Sequence, residues 1–169
     1  MKKLLWPVVI FVVVVLLDQA TKIWAVQSLG YRQSVKIIGD FFMLTLIYNK
    51  GGALGTALGP SNYYLIISLI LLPFIIYYAY RYRNRPSISW PLALIAAGAV
   101  GNIIDRIHYG QVVDFIDVDF FDIGFLGITR WWTFNIADAA ISVAIVYLLI
   151  VTIFFPQHAE SAPEPQPPE

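Results

Sequence analysis

Four nearly unbroken apolar stretches constrain this chain more than any motif in it, because each has the roughly 20 residues that carry a helix across the hydrocarbon layer of a bilayer. They begin at Leu4 and run past Val26, then cover Asn62 to Tyr82, Ile88 to Ile107 and Ile136 to Phe155. In lipid every backbone N–H and C=O must find its partner within the chain, and for a single stretch only a helix does that. The composition agrees. With 169 residues, 59% of them hydrophobic and 13% charged, and a mean hydropathy of +0.70, the chain has more apolar surface than a soluble domain of this size can bury. Pro73 is expected to kink the second stretch rather than end it, since apolar residues continue on both sides.

Lys2 and Lys3 ahead of Leu4 to Leu17 imitate a secretory signal peptide, but no small-x-small cleavage site follows. The pattern resumes through Ile23, Trp24, Ala25 and Val26, so the first stretch is read as an uncleaved transmembrane helix that takes in Asp18 and Lys22. The fold class expected is therefore an all-α integral membrane protein of four transmembrane helices. Residues 1–155 form its working domain, and the proline-rich acidic tail, residues 156–169, is expected to be disordered because it has too little apolar surface to fold.

Basic residues in short flanks set the orientation. Lys2 and Lys3 precede the first helix, and Arg81, Arg83 and Arg85 crowd the link between the second and third. Both flanks, and with them both termini, are expected in the cytoplasm, which leaves the long connections 27–61 and 108–135 outside it. This topology brings Asp18 and Lys22, Asn102, Asp105 and Arg106, and Asn135 and Asp138 to one level near the extracytoplasmic face. Ionisable residues within membrane spans are functional candidates by default.

Several classes of function are disfavoured. Eleven Lys+Arg balance eleven Asp+Glu, and no basic run is dense enough to follow a phosphate backbone, so nucleic acid is not an expected partner. The absence of Cys removes thiolate nucleophiles and Cys-ligated metals. Two histidines without an HExxH pattern argue against a zinc hydrolase, and no cofactor is expected.

Each polar cluster has a structural reading beside a functional one. Asp18 and Lys22 stand four apart, acid first, as an ion pair on one helix face, with Lys22 either snorkelling to the interface or supporting a site. In "AAGAVGNIIDR", Gly98 and Gly101 permit close helix packing, while Asn102 and Arg106 share a face from which they can orient a substrate backbone or a carboxylate. "VVDFIDVDFFD" alternates acids with aromatic and β-branched residues and predicts a short extended piece at the membrane surface. Most of its acids, Asp114, Asp117, Asp119 and Asp122, are expected to be solvated; a calcium loop stays open beside that reading, though the EF-hand spacing and its glycine are missing. "FNIAD" places Asn135 as an N-cap with Asp138 in the first turn, where the helix dipole favours an anion. A second carboxylate forced near it would be driven toward its protonated form, which gives a general base and a general acid in one site. "YNKGGALG" reads as a turn, and Trp131 and Trp132 as interfacial anchors of the fourth helix. On these residues alone three functions stay open: an enzyme built on an acid pair, a proton-coupled transporter or ion-conducting subunit, and a scaffold whose charges only pair helices.

In order along the chain, "DQATK", "NKGGALG", "GNIIDR", "VVDF" and "FNIAD" resemble the motif regions of the lipoprotein signal peptidases, the bacterial type II signal peptidases. The similarity covers nearly the whole chain before the tail. It implies a multi-pass aspartyl endopeptidase of the bacterial cytoplasmic (inner) membrane that removes the signal peptide from prolipoproteins, cutting just before a cysteine that carries a diacylglyceryl group. On matching positions it makes Asp114 and Asp138 the catalytic pair, and Asn49, Gly51, Asn102, Arg106 and Asn135 substrate-binding. Asp18, Lys22 and Asp105 become structural support. The implied partners are lipid-modified prolipoproteins and membrane lipid, with the enzyme a monomer carrying no metal and a small β-containing extracytoplasmic subdomain. This sequence departs from the family pattern at Gly52, Leu54 and Ala97, where alanine, a bulky aromatic and glycine are usual.

Overall fold

A computed structural model describes residues 2–51, 59–119 and 132–155. Gly52, Leu54, Asp122, Trp131 and the tail 156–169 lie outside them. The described elements are, in chain order, α1 (Lys2–Ser28), β1 (Ser34–Ile38), β2 (Phe42–Asn49), α2 (Ser61–Arg81), α3 (Pro86–Tyr109), β3 (Val112–Val118) and α4 (Ile136–Phe154). All four helices are long and apolar enough to cross a membrane, as the sequence predicts, and α2 continues through Pro73.

Helix α3 packs against α1, α2 and α4, and its composition explains why it can hold the centre. Its run of small residues, Ala93, Ala96, Ala97, Gly98 and Gly101, is buried, so neighbouring backbones approach closely. By contrast α2 buries no residue, and α1 and α4 turn Val8, Val12, Leu16, Val143, Val146 and Ile150 outward. Such apolar faces have no aqueous role and suit a lipid solvent.

Three antiparallel strands in the order β1-β2-β3 sit at one end of the bundle. Up-and-down helices put the α1–α2 and α3–α4 connections at the same end, so strands carried by those two connections can meet. The expected extended piece at "VVDFIDV" is β3, while the β1–β2 hairpin in the first connection had no such alternating signal. Its own core is Ala25, Leu46, Val113 and Phe115, with Trp24 edge-on to Phe115 at 6.5 Å, which seats the sheet on the end of α1. Gly110 ends α3 at φ 70° and returns its N–H to the Arg106 carbonyl at 3.1 Å, the left-handed cap that lets β3 begin two residues later. Phe134 then pairs antiparallel with Ile116, exchanging bonds of 2.8 and 2.9 Å. That bridge delivers the start of α4 to the side of β3.

Candidate active site

Asn135 caps α4 as its sequence position predicts, accepting the Asp138 N–H at 2.9 Å. The amide end of the same side chain donates to Asp114 Oδ1 at 2.7 Å, to the Val113 carbonyl at 3.2 Å and to Asn102 Oδ1 at 3.2 Å. One buried side chain thus ties the acid of β3 to the acid of α4. Asp138 does not close the capping box, because its Oδ1 accepts instead from Asn102 Nδ2 at 2.8 Å.

Asp114 lies opposite Ile47 in the β2–β3 ladder, which makes Asn49 its diagonal neighbour on the same face. Asn49 uses this position twice. It donates to Asp114 Oδ2 at 3.0 Å and accepts the Gly51 N–H at 2.8 Å, so it turns the first connection back toward the acid. Arg106 completes the ring by donating to the carbonyls of Gly51 at 3.2 Å and Asn102 at 3.4 Å, with its guanidinium 5.7 Å from the centre of the Tyr64 ring.

Beneath this layer lies a second one, buried throughout. The three protons of Lys22 Nζ are matched by Asp105 Oδ2 at 2.8 Å, Asp18 Oδ2 at 2.9 Å and Asn102 Oδ1 at 3.0 Å. Lys22 is 2% exposed, so it does not snorkel; two carboxylates and an amide make burial cheaper than the reach to an interface. Asp18 Oδ1 accepts the Ala137 N–H at 2.9 Å and so satisfies another free donor of α4's first turn from across the bundle. Asp105 Oδ2 accepts the Val113 N–H at 3.0 Å, fixing the residue next to Asp114.

Two features went unassigned in the sequence. Gln19, within "DQATK", reaches Asp18 Oδ2, the Gly101 carbonyl and Asp105 Oδ1 at 3.1 to 3.2 Å; an amide beside a buried acid in an apolar span was the available signal. Asp117, expected to be solvated, is 5% exposed and accepts from Thr45 Oγ1 at 2.7 Å, while the Thr45 oxygen in turn can accept from the Ser34 hydroxyl 2.8 Å away. The ladder places β1 close enough for this link, and β1 carries no alternating pattern from which the link can be read. Asp119 is only half-buried.

Four carboxyl groups, Asp18, Asp105, Asp114 and Asp138, share this region with two cations, Lys22 and Arg106. Such an excess favours protonation of one acid. Burial of Asp114, followed by the charge of Asp138, pushes the Asp114 carboxyl up to about 7, against the donors Asn49 and Asn135 that stabilise its anion. A neutral acid beside an ionised one can give a proton and take one within a single site.

Comparison with known proteins follows the same framework. The sequence model of the family described as signal peptidase (SPase) II matches residues 10–155. The lipoprotein signal peptidase of Syntrophus aciditrophicus is 36% identical over 156 residues, spanning 85% of this chain and 92% of the relative. That of a Janthinobacterium species is 40% identical over 141 residues, 81% of each chain. A bacterial membrane enzyme solved by the in meso method at 2.3 Å resolution superposes with a TM-score of 0.75 at 29% identity, covering 95% of this chain and 94% of the other. The family's sequence model spans residues 10–155, the relatives match over more than four-fifths of this chain and the superposition covers 95% of it, and on that ground the chain belongs to the signal peptidase II family.

Proposed function

We propose that this signal peptidase removes the signal peptide from prolipoproteins whose cysteine carries a diacylglyceryl group, cutting just before that cysteine, with Asp114 and Asp138 as its catalytic acids. The observation that carries the reading is the link through Asn135, which binds Asp114 by its amide and holds the first turn of α4 by its oxygen. The sheet end of the bundle faces out of the cytoplasm and both termini face in, a placement supported by Arg81, Arg83 and Arg85 at the opposite end. The protein acts as a monomer, and residues 1–155 suffice for activity without the tail.

In the reaction, ionised Asp138 takes a proton from water as the water oxygen bonds to the scissile carbonyl carbon. The C–N bond then breaks, and Asp114 gives its proton to the departing nitrogen. The products are a signal peptide with a new carboxyl end and a lipid-bearing cysteine with a free amine. The two carboxyl groups alone balance these proton transfers. Asn102 and Asn135 hold the two acids in place, while Arg106 and Asn49 hold the peptide extended across them, since placement supplies much of the lowering of the barrier. A site between helices and sheet lets the signal helix and the lipid arrive sideways from the bilayer while the mature chain stays in water.

The test uses purified protein in detergent, a diacylglyceryl-modified precursor and gel separation of the product, with a chelator present. Asp114→Asn and Asp138→Asn should each lower turnover by about 10²- to 10⁴-fold, the usual contribution of a general acid or base. Wild-type turnover by either variant, with its helices and melting temperature intact, removes the acid pair from the mechanism.

A further inference from the structure

A cavity of about 470 Å³ adjoins Asp114. Asn49 and Asp114 line it together with Arg32, Lys50, Gln111 and Trp132. Its volume falls within the range of about 300–1,000 Å³ typical of small-ligand sites. Resting on the function proposed above, we propose that this cavity receives the residues that follow the lipid-bearing cysteine and selects an acidic side chain among them through Arg32 and Lys50.

Three observations converge. First, a peptide cut at Asp114 leaves in two directions: its signal helix and lipid belong with the apolar spans, so only the mature segment has a use for a hollow lined by two cations and the two amides of Asn49 and Gln111. An extended chain advances about 3.3–3.6 Å per residue, which puts the first two or three residues past the cut inside a cavity that begins at the acid. Second, Arg32 holds φ at 59°, a left-handed conformation that glycine or asparagine adopts at lower cost. Its N–H is tied to the Leu46 carbonyl at 3.0 Å, and its guanidinium rests 5.3 Å from the centre of the Tyr31 ring, so a strained turn places the cation at the rim. Third, among the described residues neither Arg32 nor Lys50 forms an ion pair, and Asp114 is the only carboxyl group lining the cavity. An acid on the substrate gives both cations a partner.

The experiment compares lipidated precursors that differ only in the second and third residues after the cut, as Asp-Asp, Ser-Ser or Lys-Lys, in neutral detergent at low salt. For the wild-type enzyme kcat/KM should be roughly threefold to fivefold higher for the acidic than for the basic precursor, the yield of a partly screened ion pair, and salt should erase the difference. The charge swaps Arg32→Glu and Lys50→Glu should invert the order, while Arg32→Gly, which relieves the backbone strain, should level it. Equal wild-type rates on all three precursors overturn the proposal and leave the peptidase reading standing. An enzyme that cuts none of them fails at the earlier step. Rates that depend on added anionic phospholipid alike for every precursor assign the cations to lipid headgroups and also overturn it.

Discussion

Asn102 donates its side-chain amide to Asp138 across 2.8 Å while its oxygen accepts from Lys22 at 3.0 Å, so the buried cation aligns the proposed base through an amide rather than by touching it. Hydrogen bonds to charged groups contribute about 1.5–3 kcal/mol, which sets an expected fall in kcat of roughly 10- to 100-fold for Asn102→Ala. KM should stay within about threefold, because the lost interaction acts on the reacting groups and not on substrate binding. Asn102→Asp should be worse, since it replaces the donor with a third acid beside Asp138. Steady-state kinetics on a lipidated precursor separate the two parameters; a change confined to KM would place Asn102 in binding alone.

The Asp114 carboxyl, pushed up to about 7 by burial and by the charge of Asp138, makes two signatures in pH. If Asp114 is the proton donor, kcat/KM falls as pH rises through about 7 and the proton is lost. Stability follows the same direction. The folded protein holds the Asp114 proton up to about 7 whereas an unfolded chain releases it near pH 4, so between those values the native state binds more protons and stability declines with rising pH. Asp114→Asn lacks this decline. Thermal unfolding in detergent should therefore show the variant gaining on the wild type from pH 5 to pH 8, and a gain in the opposite direction would refute the assignment.

Lys22 satisfies Asp18, Asp105 and Asn102 at once, at 2% exposure, and truncating it leaves two buried carboxylates without their counter-ion. Removing one member of a buried ion pair costs about 3–5 kcal/mol, so Lys22→Met should lower the melting temperature sharply. Adding Asp105→Asn to Lys22→Met should recover part of that loss, because it discharges one orphan and keeps an oxygen for the Val113 N–H. If the single variant melts as the wild type does, the cluster carries no structural weight.

Which of these features a reader of the sequence can see depends on how far each signal travels. The four helices are legible because hydropathy is written in consecutive residues. The N-cap at Asn135 and the small-residue face of α3 are equally local, and both stand where the sequence puts them. The hairpin is not legible: β1 is exposed at every position, so burial imprints no alternation on it. The burial of Asp117 is hidden for the same reason, since its partner Thr45 lies on β2 of that hairpin. Polarity alone could not choose between snorkelling and burial for Lys22, because that choice is decided by Asp105 and Asn102 on another helix. Asp114 shows the same limit, for only the resemblance separated it from its neighbouring acids.

Gly98 faces the first turn of α4, where an added Cβ would stand 2.5 Å from the Ala137 carbonyl oxygen and 2.6 Å from Ile141 Cγ1. A side chain end can rotate aside; a helical carbonyl cannot without moving its turn. That turn carries Asp138 one residue further on, so Gly98→Ala should displace the base as well as strain the interface. Overpacking of this kind costs about 1–3 kcal/mol, and turnover per folded molecule should fall along with the melting temperature. Trimming the other obstacle with Ile141→Ala should not restore turnover, because the backbone oxygen remains. Gly110→Ala supplies the contrast: it meets nothing within 4 Å and is strained only by its φ of 70°. That strain is worth about 1 kcal/mol, so turnover per folded molecule should hold. Melting curves and active-site-normalised turnover for the three variants decide the matter, and unchanged turnover in Gly98→Ala would show that α4 tolerates a shift at the point where the proposed base is fixed.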